Sequence, residues 1–484
     1  MKKFKKNIFG IIVGILLLLF TSSFLILLNV LGVIDNNLYI VIFIALFIFT
    51  LLINFVLFIR PNIKNSFWKN IYSCIRIFAF LIAFLLIGAY GFMTYYLNKT
   101  MNFIDNIGVI TEEVTNYYIV VLKDSRYQEA SDLYDKSLVY FDRTDGEVIN
   151  SLKLDLDMKA TNDLDELKRM FFDNEVESML ISDIIKNKYE EDDLSFNDKI
   201  RILDTISIKN EIEDITKSVS IKNTSFNVLI SGIDTFGDIK NTTRNDVNII
   251  ASVNPNTDQV LLTSIPRDYY VQLHGKKGLK DKLTHASYYG TDTVVKTIED
   301  ILDIDINYYV KVNFSTVVEL VDTLGGIDVY ADQAVTLYTG RKIKKGYNTL
   351  KGEDALAFSR ERHAYYDGDN HRGRNQQEVI KAIFNKLSSG GTILTKYTEL
   401  LNVLDGKFVT NMNMDEVLGF VKYEMTDLTN YKINSIQLTG SGSMGETYSY
   451  PGQNLWIMIP NKKSIEKANK KINEVLDKEN EITD

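Results

Sequence analysis

The chain has 484 residues, a net charge of -9 at neutral pH and a sequence pI near 5.3. Its length is too great for one hydrophobic core and predicts two or three domains. The acidic balance argues against nucleic acid as a partner, because such proteins carry a strongly basic surface. Cys74 is the only cysteine, so no disulfide can form within the chain.

Three long apolar runs lie within the first hundred residues, at 8–34, 38–59 and 77–97. Each is close to the roughly 20 residues that a helix needs to cross the hydrocarbon core of a bilayer. A cleaved signal peptide is the alternative for the first run, but that run is too long and no small-residue cleavage site precedes the second. We predict that residues 1–98 form a membrane anchor of three transmembrane helices.

The charges beside these runs predict their orientation, because short cytoplasmic segments carry an excess of lysine and arginine. The connection at 35–37 has no cation, whereas both flanking segments are basic. Their cations are Lys2, Lys3, Lys5 and Lys6 before the first run, and Arg60, Lys64, Lys69 and Arg76 between the second and third. We expect a multi-pass cell-membrane protein with a cytoplasmic N-terminus and external C-terminal domains. A large external part without disulfides suits a Gram-positive envelope.

Residues 99–225 predict a small external accessory α/β domain. Apolar runs at 117–122, 137–141 and 176–182 are typical of strands, and amphipathic patterns at 163–173 and 196–206 predict helices. The acidic run 190–193 is interpreted as a solvated loop, and no catalytic cluster is apparent.

Residues 226–484 predict a second external domain with a central sheet. The runs 226–234, 246–255 and 259–268 are apolar and rich in β-branched residues, which is typical of strands covered on both faces by helices. Further strands are predicted at 308–313, 327–330, 433–438 and 455–459. Helices are predicted at 293–302, 315–324, 352–359, 375–387, 414–425 and 463–476.

Arginine is scarce in this chain, with 13 arginines against 41 lysines, yet it recurs at strand ends and turns of the second external domain. Its planar guanidinium grips phosphate oxygens through paired hydrogen bonds and stays charged. Ordinary surface ion pairing is the better explanation for any one arginine, but the set together could surround a diphosphate. Its members are Arg244, Arg267, Arg360, Arg362, Arg372 and Arg374.

Two aspartates lie at the edges of neighbouring predicted strands, Asp234 at the end of one and Asp246 at the start of the next. A pair of carboxylates next to phosphate ligands is the environment that Mg²⁺ prefers. The four histidines are scattered and no Cys/His pair has zinc spacing. Magnesium is therefore the expected metal, with Asp234 and Asp246 as its ligands.

The spacing within 357–383 makes two further predictions. Arg360 and Arg362 are two residues apart and would point in opposite directions on a helix, so the helix must end near Arg360 if both bind one ligand. Arg372 and Gln376 are four apart and share a helical face with Val379, Ile380 and Phe384. A lipid phosphate bound by a polar head and an apolar stripe, or a core-facing helix with a polar first turn, explains that face equally well.

These residues fall in ordered blocks that resemble the LytR-CpsA-Psr family of envelope phosphotransferases. The blocks include "LISGIDTFG", "TRNDVNIIASVNP", "LLTSIPRDYYV", "LKGEDALAFSRERH" and "GDNHRGRNQQEVI". Three spans followed by an extra external domain resemble the capsule-associated branch. The resemblance implies an α/β/α sandwich with a central mixed sheet and an apolar groove for a polyprenyl chain.

The activity implied is transfer of a glycopolymer, in this branch a capsular polysaccharide, from a polyprenyl (undecaprenyl) pyrophosphate lipid to a peptidoglycan hydroxyl. By position, the pyrophosphate would contact Arg244, Arg267, Arg360, Arg362, Arg372 and Gln376, and Mg²⁺ would bind Asp234 and Asp246. The catalytic residues expected are Asp246 as proton acceptor, Arg267 and Arg362. The family pattern departs at Asn375, where arginine is usual, and Arg374 is a possible substitute.

Two functions remain open from the sequence. The first is the Mg²⁺-dependent phosphotransferase, with peptidoglycan, the membrane and other capsule assembly proteins as partners. The second is a non-catalytic regulator of capsule assembly that only binds polyprenyl phosphate. Lipid storage alone does not require the two aspartates, which favours the enzyme. A DNA-binding role is disfavoured by the charge and by the external location.

Overall fold

The computed structural model describes residues 7–30, 36–59, 61, 63–106, 112–152, 155–221, 223–233, 239, 243–388, 392–413, 416–417 and 431–477. It divides into two compact units, one holding the N-terminal helices and one that begins with the first strand. Each unit is described by itself below.

The N-terminal unit consists of three helices, α1 (Ile8–Val30), α2 (Asn36–Phe58) and α3 (Ser66–Asn106). All three are long and apolar enough to cross a membrane, which agrees with the three apolar runs in the sequence. The third helix extends beyond the apolar run at both ends. Asn7, directly before α1, is buried, and its Nδ2 donates to the Leu57 carbonyl of α2 at 3.0 Å. Pairing of this kind is required where no water can satisfy a backbone or side-chain group.

The accessory part of the second unit is built on a five-stranded sheet in the order β3-β2-β4-β1-β5. The strands are β1 (Glu112–Leu122), β2 (Lys136–Phe141), β3 (Leu156–Thr161), β4 (Ser178–Ser182) and β5 (Ile200–Glu211). Its helices are α4 (Gly146–Ser151), α5 (Leu164–Phe172), α6 (Asp183–Asp192) and α7 (Phe196–Lys199). A short 3₁₀ helix, Ala130–Leu133, precedes β2.

The helix predicted at 196–206 is wrong. Only one turn, α7, forms there, and β5 then pairs antiparallel with β1 over the full length of both strands. Isoleucines occupy positions 200, 202, 206 and 208, which is an alternating pattern interrupted at Asp204, and the long partner strand β1 fixes this segment as sheet. Residues 190–192, interpreted as a solvated loop, form the end of α6.

The larger sheet has six strands in the order β16-β11-β6-β7-β8-β17. They are β6 (Phe226–Ile233), β7 (Asn245–Asn254), β8 (Gln259–Ser264), β11 (Tyr308–Asn313), β16 (Phe408–Thr410) and β17 (Lys432–Gln437). The pairs β6–β11 and β8–β17 are parallel and the other neighbours are antiparallel, so the expected mixed sheet is confirmed.

Helices cover both faces of this sheet. Its helices are α8 (Thr291–Leu302), α9 (Phe314–Thr323), α10 (Gly352–Arg360), α11 (Asp369–Ser388), α12 (Thr392–Leu404) and α13 (Lys462–Leu476), with a 3₁₀ helix at Leu283–Tyr289. On one face, Leu229 and Ile250 of the sheet pack with Val294 of α8 and Ala468 of α13. On the other, Ile249 and Leu262 pack against Ile380 of α11. The result is the α/β/α sandwich expected from the sequence. A further helix was expected at 414–425, and only residues 416 and 417 of that range are described.

Four two-stranded sheets decorate the sandwich: β9 (Tyr270–Val271) with β10 (Asp281–Lys282), β12 (Ile327–Ala331) with β15 (Gly346–Leu350), β13 (Val335–Thr336) with β14 (Lys342–Ile343), and β18 (Gly440–Gly445) with β19 (Leu455–Pro460). The sequence predicted only β12 and β19 among these strands.

A buried ion pair joins the accessory sheet to the large sheet. Lys311 Nζ of β11 lies 2.8 Å from Glu113 Oε1 of β1, and both side chains are 5% exposed. The same carboxylate accepts from the backbone N–H of Thr291 at 3.1 Å and from its hydroxyl. Glu113 is thus fully used, and it ties β1 to both β11 and the start of α8.

The variant Glu113→Gln should lower the free energy of unfolding by about 3–5 kcal/mol, because it leaves the Lys311 ammonium buried without a counter-charge. Thermal unfolding of the full chain in detergent, followed by circular dichroism, measures the change. The double variant Glu113→Gln/Lys311→Met removes both charges and should recover a large part of the loss. A double variant no more stable than the single one would contradict this account.

Candidate functional site

The site is built around a largely buried ion pair between Asp246, the second residue of β7, and Arg267, three residues beyond β8. Arg267 Nη1 donates to both carboxylate oxygens of Asp246 at 2.7 Å. The adjacent antiparallel strands β7 and β8 bring the two residues together, since β8 ends beside the start of β7. Thr284 adds a hydroxyl 3.4 Å from Asp246 Oδ1.

The arginines around Asp246 decide its charge state. Burial raises the pKa of Asp246, but the nearby cations outweigh burial and bring its pKa below the ordinary aspartate value. Those cations are Arg267, Arg372 and Arg244. Burial likewise lowers the pKa of Arg267, but the carboxylates of Asp246 and Asp268 reverse this and raise it. The pair is therefore fully ionised at neutral pH.

A second arginine, Arg372 in the first turns of α11, belongs to the same cluster. It is buried, and its Nη2 donates to Asp369 Oδ2 at 3.1 Å. Burial and the neighbouring charge of Arg267 lower the pKa of Arg372. Two buried guanidinium groups are thus within electrostatic range of each other, an arrangement that suits a doubly charged anion.

Two aspartates that the sequence reasoning did not select complete the cluster. Asp268 lies 3.5 Å from Arg267 Nε and 3.2 Å from Lys282 Nζ. Burial raises the pKa of Asp268, but these two cations outweigh it and lower the pKa. Burial is the largest influence on Asp369 and raises its pKa; the hydrogen bond with Asp268 and the charge of Asp268 add to this, so the opposing charges of Arg372 and Arg267 do not bring the pKa back down. Of these two carboxyl groups, Asp369 has the higher proton affinity.

The end of α10 orients Arg360 and Arg362. The helix ends at Arg360, and Glu361 is extended with φ -64° and ψ 127°, so the predicted end of the helix is confirmed. The guanidinium carbon of Arg360 lies 4.6 Å from the centre of the Phe314 ring. Arg362 Nη1 is 3.9 Å from Asp369 Oδ1, which links this loop to the cluster.

The other predicted residues have different outcomes. Arg244 precedes β7 directly and is close enough to lower the pKa of Asp246. Asp234 lies outside the described residues. Arg374 turns to Asp367, with Nη2 donating to Oδ2 at 2.7 Å, and so does not join Arg372.

Asn375, which stands where the family usually has arginine, makes local structural contacts. Its side-chain amide donates to the Phe358 carbonyl at 3.0 Å and to the Tyr365 hydroxyl at 3.2 Å. It therefore fastens α11 to the end of α10. Gln377, two residues after Asn375, donates to the carbonyls of Leu262 in β8 and Ile436 in β17, at 3.1 and 2.6 Å. Gly373 lies close to the Gln437 side chain, since a Cβ at this position would be 2.6 Å from Gln437 Nε2.

An apolar groove begins beside the cluster. It encloses roughly 530 Å³ of empty space, part of it open to solvent, between the large sheet and helices α9, α10 and α11. Gln376, one turn after Arg372, lines it together with Val379 and Ile380 of the same helix. The remaining lining residues are Ile230, Gly232, Val247, Val312, Asn313, Phe314, Val317, Leu356, Ser359 and Ile383. The predicted polar head followed by an apolar stripe is therefore present on α11, whereas Phe384 is not among the lining residues.

The described part of this site offers one of the two predicted magnesium ligands. Asp246 is ionised and supplies hard carboxylate oxygens, which suit Mg²⁺ when phosphate oxygens and water complete its shell. Both of those oxygens accept from Arg267, so a metal ion would share them. Within the described residues, no group of three or more metal-ligating side chains forms a metal site by itself.

Sequence comparison identifies the family. The family model described as the LytR_cpsA_psr family matches residues 196–474, more than half of the chain. The chain belongs to the LytR-CpsA-Psr family. The matched residues include β5 and contain every described member of the cluster and the groove.

Two relatives in Bacillus subtilis are named polyisoprenyl-teichoic acid–peptidoglycan teichoic acid transferases. The chain is 39% identical to TagU over 203 residues, covering 42% of this chain and 65% of TagU. It is 32% identical to TagT over 259 residues, covering 51% of this chain and 76% of TagT. The match to TagU thus spans just under two thirds of that relative.

Among solved structures, one titled "TagT bound to LI-WTA" is similar, with a TM-score of 0.43 and 30% identity over 54% of this chain and 94% of the other. The crystal structure of B. subtilis TagU has a TM-score of 0.41 and 31% identity, over 53% of this chain and 99% of the other.

The variant Asp246→Asn should lower the free energy of unfolding at pH 7 by about 3–5 kcal/mol, because it leaves Arg267 without its main counter-charge. The pKa of Asp246 is lower in the folded chain than in the unfolded chain, so its stabilisation is complete above the unfolded value of about 3.9. It is lost as the pH falls through the folded value. The stability difference between wild type and variant should therefore shrink below about pH 4. Urea unfolding at several pH values measures it.

The matched control for that measurement is Asp300→Asn. Asp300 pairs with His274 but is 58% exposed, and exposed pairs contribute little. A pH-independent difference for Asp246→Asn, or an equal effect of Asp300→Asn, would contradict the assignment.

Proposed function

We propose that this protein is a membrane-anchored phosphotransferase, which moves a glycopolymer from a polyprenyl pyrophosphate lipid to a sugar hydroxyl of peptidoglycan. The observation that carries the proposal is the continuity of the buried arginine cluster with the apolar groove, through Arg372 and Gln376 on successive turns of α11. A diphosphate attached to a long apolar chain needs both parts side by side. The family membership and the names of the relatives support the same reaction.

In the proposed reaction, an acceptor hydroxyl oxygen bonds to the phosphorus that carries the polymer. The bond from that phosphorus to the oxygen shared with the lipid phosphate breaks, and polyprenyl monophosphate leaves. Phosphoryl transfer depends chiefly on positioning and on neutralising charge. Arg267 and Arg372 would bind the diphosphate from within the cluster, while Arg360, Arg362 and Arg244 would close around it from the adjoining segments.

The hydroxyl proton needs a carboxylate acceptor. Asp246 remains our first candidate by position, although Arg267 binds both of its oxygens and its pKa is lowered. Asp369 is the second candidate, because its pKa is raised and it lies between Arg362 and Arg372. A base with a raised pKa is better matched to proton transfer near neutral pH.

Magnesium is part of the proposal. Asp246 would hold it together with Asp234, and bound Mg²⁺ would supply charge neutralisation for the diphosphate. Among polymers we propose capsular polysaccharide, from the order of three spans and an extra domain, although the relatives are named for teichoic acid. We also propose that the domains after α3 face outward, from the cations flanking the first two apolar runs.

Loss of Arg267 or Arg362 should reduce polymer transfer by roughly 10²–10³-fold, the usual effect of removing one preorganised donor to the reacting group. The assay incubates the full chain in detergent with a lipid pyrophosphate-linked glycan, Mg²⁺ and peptidoglycan fragments, and measures release of polyprenyl monophosphate. Asp369→Asn should also be slow, and a chelator should stop the reaction.

The control variant for this series is Arg169→Ala in α5. Its guanidinium pairs with Glu175, and both residues belong to the accessory part of the chain. When capsule-type and teichoic-type donors are supplied together, the polymer that becomes attached to peptidoglycan identifies the substrate. Unchanged turnover in Arg267→Ala and Arg362→Ala would overturn the enzymatic proposal. Lipid binding without turnover in the wild type would favour the non-catalytic regulator.

Filling the groove should prevent lipid binding without changing the charge cluster. Val317→Phe places a ring in the space between α9, α10 and the sheet, so the polyprenyl chain would have no room. Mass spectrometry of lipids extracted from the purified protein should find polyprenyl phosphate with the wild type and a several-fold smaller amount with the variant. Leu279→Phe, which adds a ring at an exposed position that does not line the groove, is the control. Equal lipid in both variants would contradict the groove assignment.

A further inference from the structure

One exposed hairpin carries a concentration of positive charge that the acidic composition of the chain does not predict. Residues 335–347 comprise β13, β14, their connections and the first two residues of β15, and are called here the basic arm. The arm contains four exposed cations and no acidic residue, in a chain of net charge -9. These cations are Arg341, Lys342, Lys344 and Lys345.

The arm is a ribbon with two different faces. Val335, Leu337 and Ile343 are buried in the cluster that also contains Phe358 and Val379. Thr336 and Lys342 are opposite each other in the β13–β14 pair, and both are exposed, so they share the outer face. The hydrophobic face fixes the arm to the sandwich and leaves the cations free to meet a partner.

Those four cations are not used in ion pairs within the described part of the chain. None of the four forms an ion pair with a described carboxylate, whereas the lysines of α13 alternate with Glu466 and Glu474. Lys470 of α13, for example, lies 3.9 Å from Glu474. Four clustered like charges without counter-charges repel one another, and an external anionic surface would relieve that repulsion.

Exposed tyrosines lie within the arm and next to it. Tyr347, at the end of the arm, is 79% exposed and meets Tyr330 of β12 edge to face, with ring centroids 5.4 Å apart. Tyr338, within the arm, is also exposed. No described residue of α13 offers an exposed large apolar side chain. Tyrosines beside lysines are typical of surfaces that lie at the boundary between lipid headgroups and water.

The arm is also connected to the groove. Thr339 Oγ1 donates to Asp354 Oδ1 at 2.8 Å, at the first turn of α10. Leu356 and Ser359 of that short helix line the groove. A surface that holds the arm would therefore also hold one wall of the groove.

We propose that the basic arm docks on the anionic phospholipid headgroups of the membrane in which the chain is anchored. Each cation close to such a surface favours binding by about fivefold. The spanning helices keep this surface permanently at high local concentration, unlike a soluble polyanion. The tyrosines add contacts with the headgroup layer that a purely ionic partner would not need. Docking would bring the groove to the source of a lipid substrate, but it does not depend on the transfer reaction.

The test uses the full chain in nanodiscs. Because Cys74 is the only cysteine, Thr336→Cys in a Cys74→Ser background carries a single environment-sensitive fluorophore on the outer face of the arm. With phosphatidylglycerol in the disc, we expect a blue-shifted emission and quenching by nitroxide-labelled headgroups. Both signals should be absent in discs of phosphatidylcholine alone and should weaken as salt is added.

Two charge-matched variants separate the arm from general electrostatics. Changing Arg341, Lys342, Lys344 and Lys345 to glutamine should abolish the quenching. Changing Lys462, Lys463, Lys467 and Lys470 of α13 to glutamine, which removes the same charge, should leave it intact. Circular dichroism verifies that both variants fold.

Equal emission in the two kinds of disc would overturn the proposal. So would quenching that persists in the arm variant, or that the α13 variant loses equally. A spectral change that requires an added anionic glycopolymer and is independent of phosphatidylglycerol would assign the arm to the polymer instead.

Discussion

Two buried arginines placed next to each other are the constraint on which the candidate site depends. Arg267 and Arg372 repel one another, and burial deprives both of water, so the pKa of Arg372 is lowered. Their counter-charges come from three separate segments, as Asp246 of β7, Asp268 after β8 and Asp369 at the start of α11. A buried charge without a partner is costly, so the pairing of these arginines with the three aspartates holds the three segments together.

The sequence was a good guide to elements whose pattern is local. Strand β11 has the bounds that were predicted, because a short apolar β-branched run between turns has few alternatives. At 196–206 the apolar pattern predicted a helix, whereas pairing with the partner strand β1 makes most of this segment a strand. Helix α11 begins at Asp369 rather than 375, after Gly368 with its positive φ of 48°, because an N-terminal turn rich in polar residues has little apolar periodicity.

For the site, the bias of the chain toward lysine made the arginines conspicuous, and Asp246, Arg267 and Arg372 are indeed brought together. Asp268 and Asp369 were missed because carboxylates are common in this acidic chain, although their positions beside Arg267 and Gly368 were available as a signal. Arg374, offered from the sequence as a substitute for the family arginine at position 375, instead binds Asp367. Arg372 and Arg374 are two positions apart on the helix and point to different sides, so Arg374 does not share the face of Arg372 and Gln376.

The strand β11 contacts both the accessory sheet and the apolar groove. Lys311 is tied to Glu113 of the accessory sheet, and the next two residues, Val312 and Asn313, line the groove. No hinge separates these contacts, because they occupy consecutive positions of one strand in the middle of a sheet. A displacement of the accessory sheet would consequently be transmitted to the groove wall along a single strand.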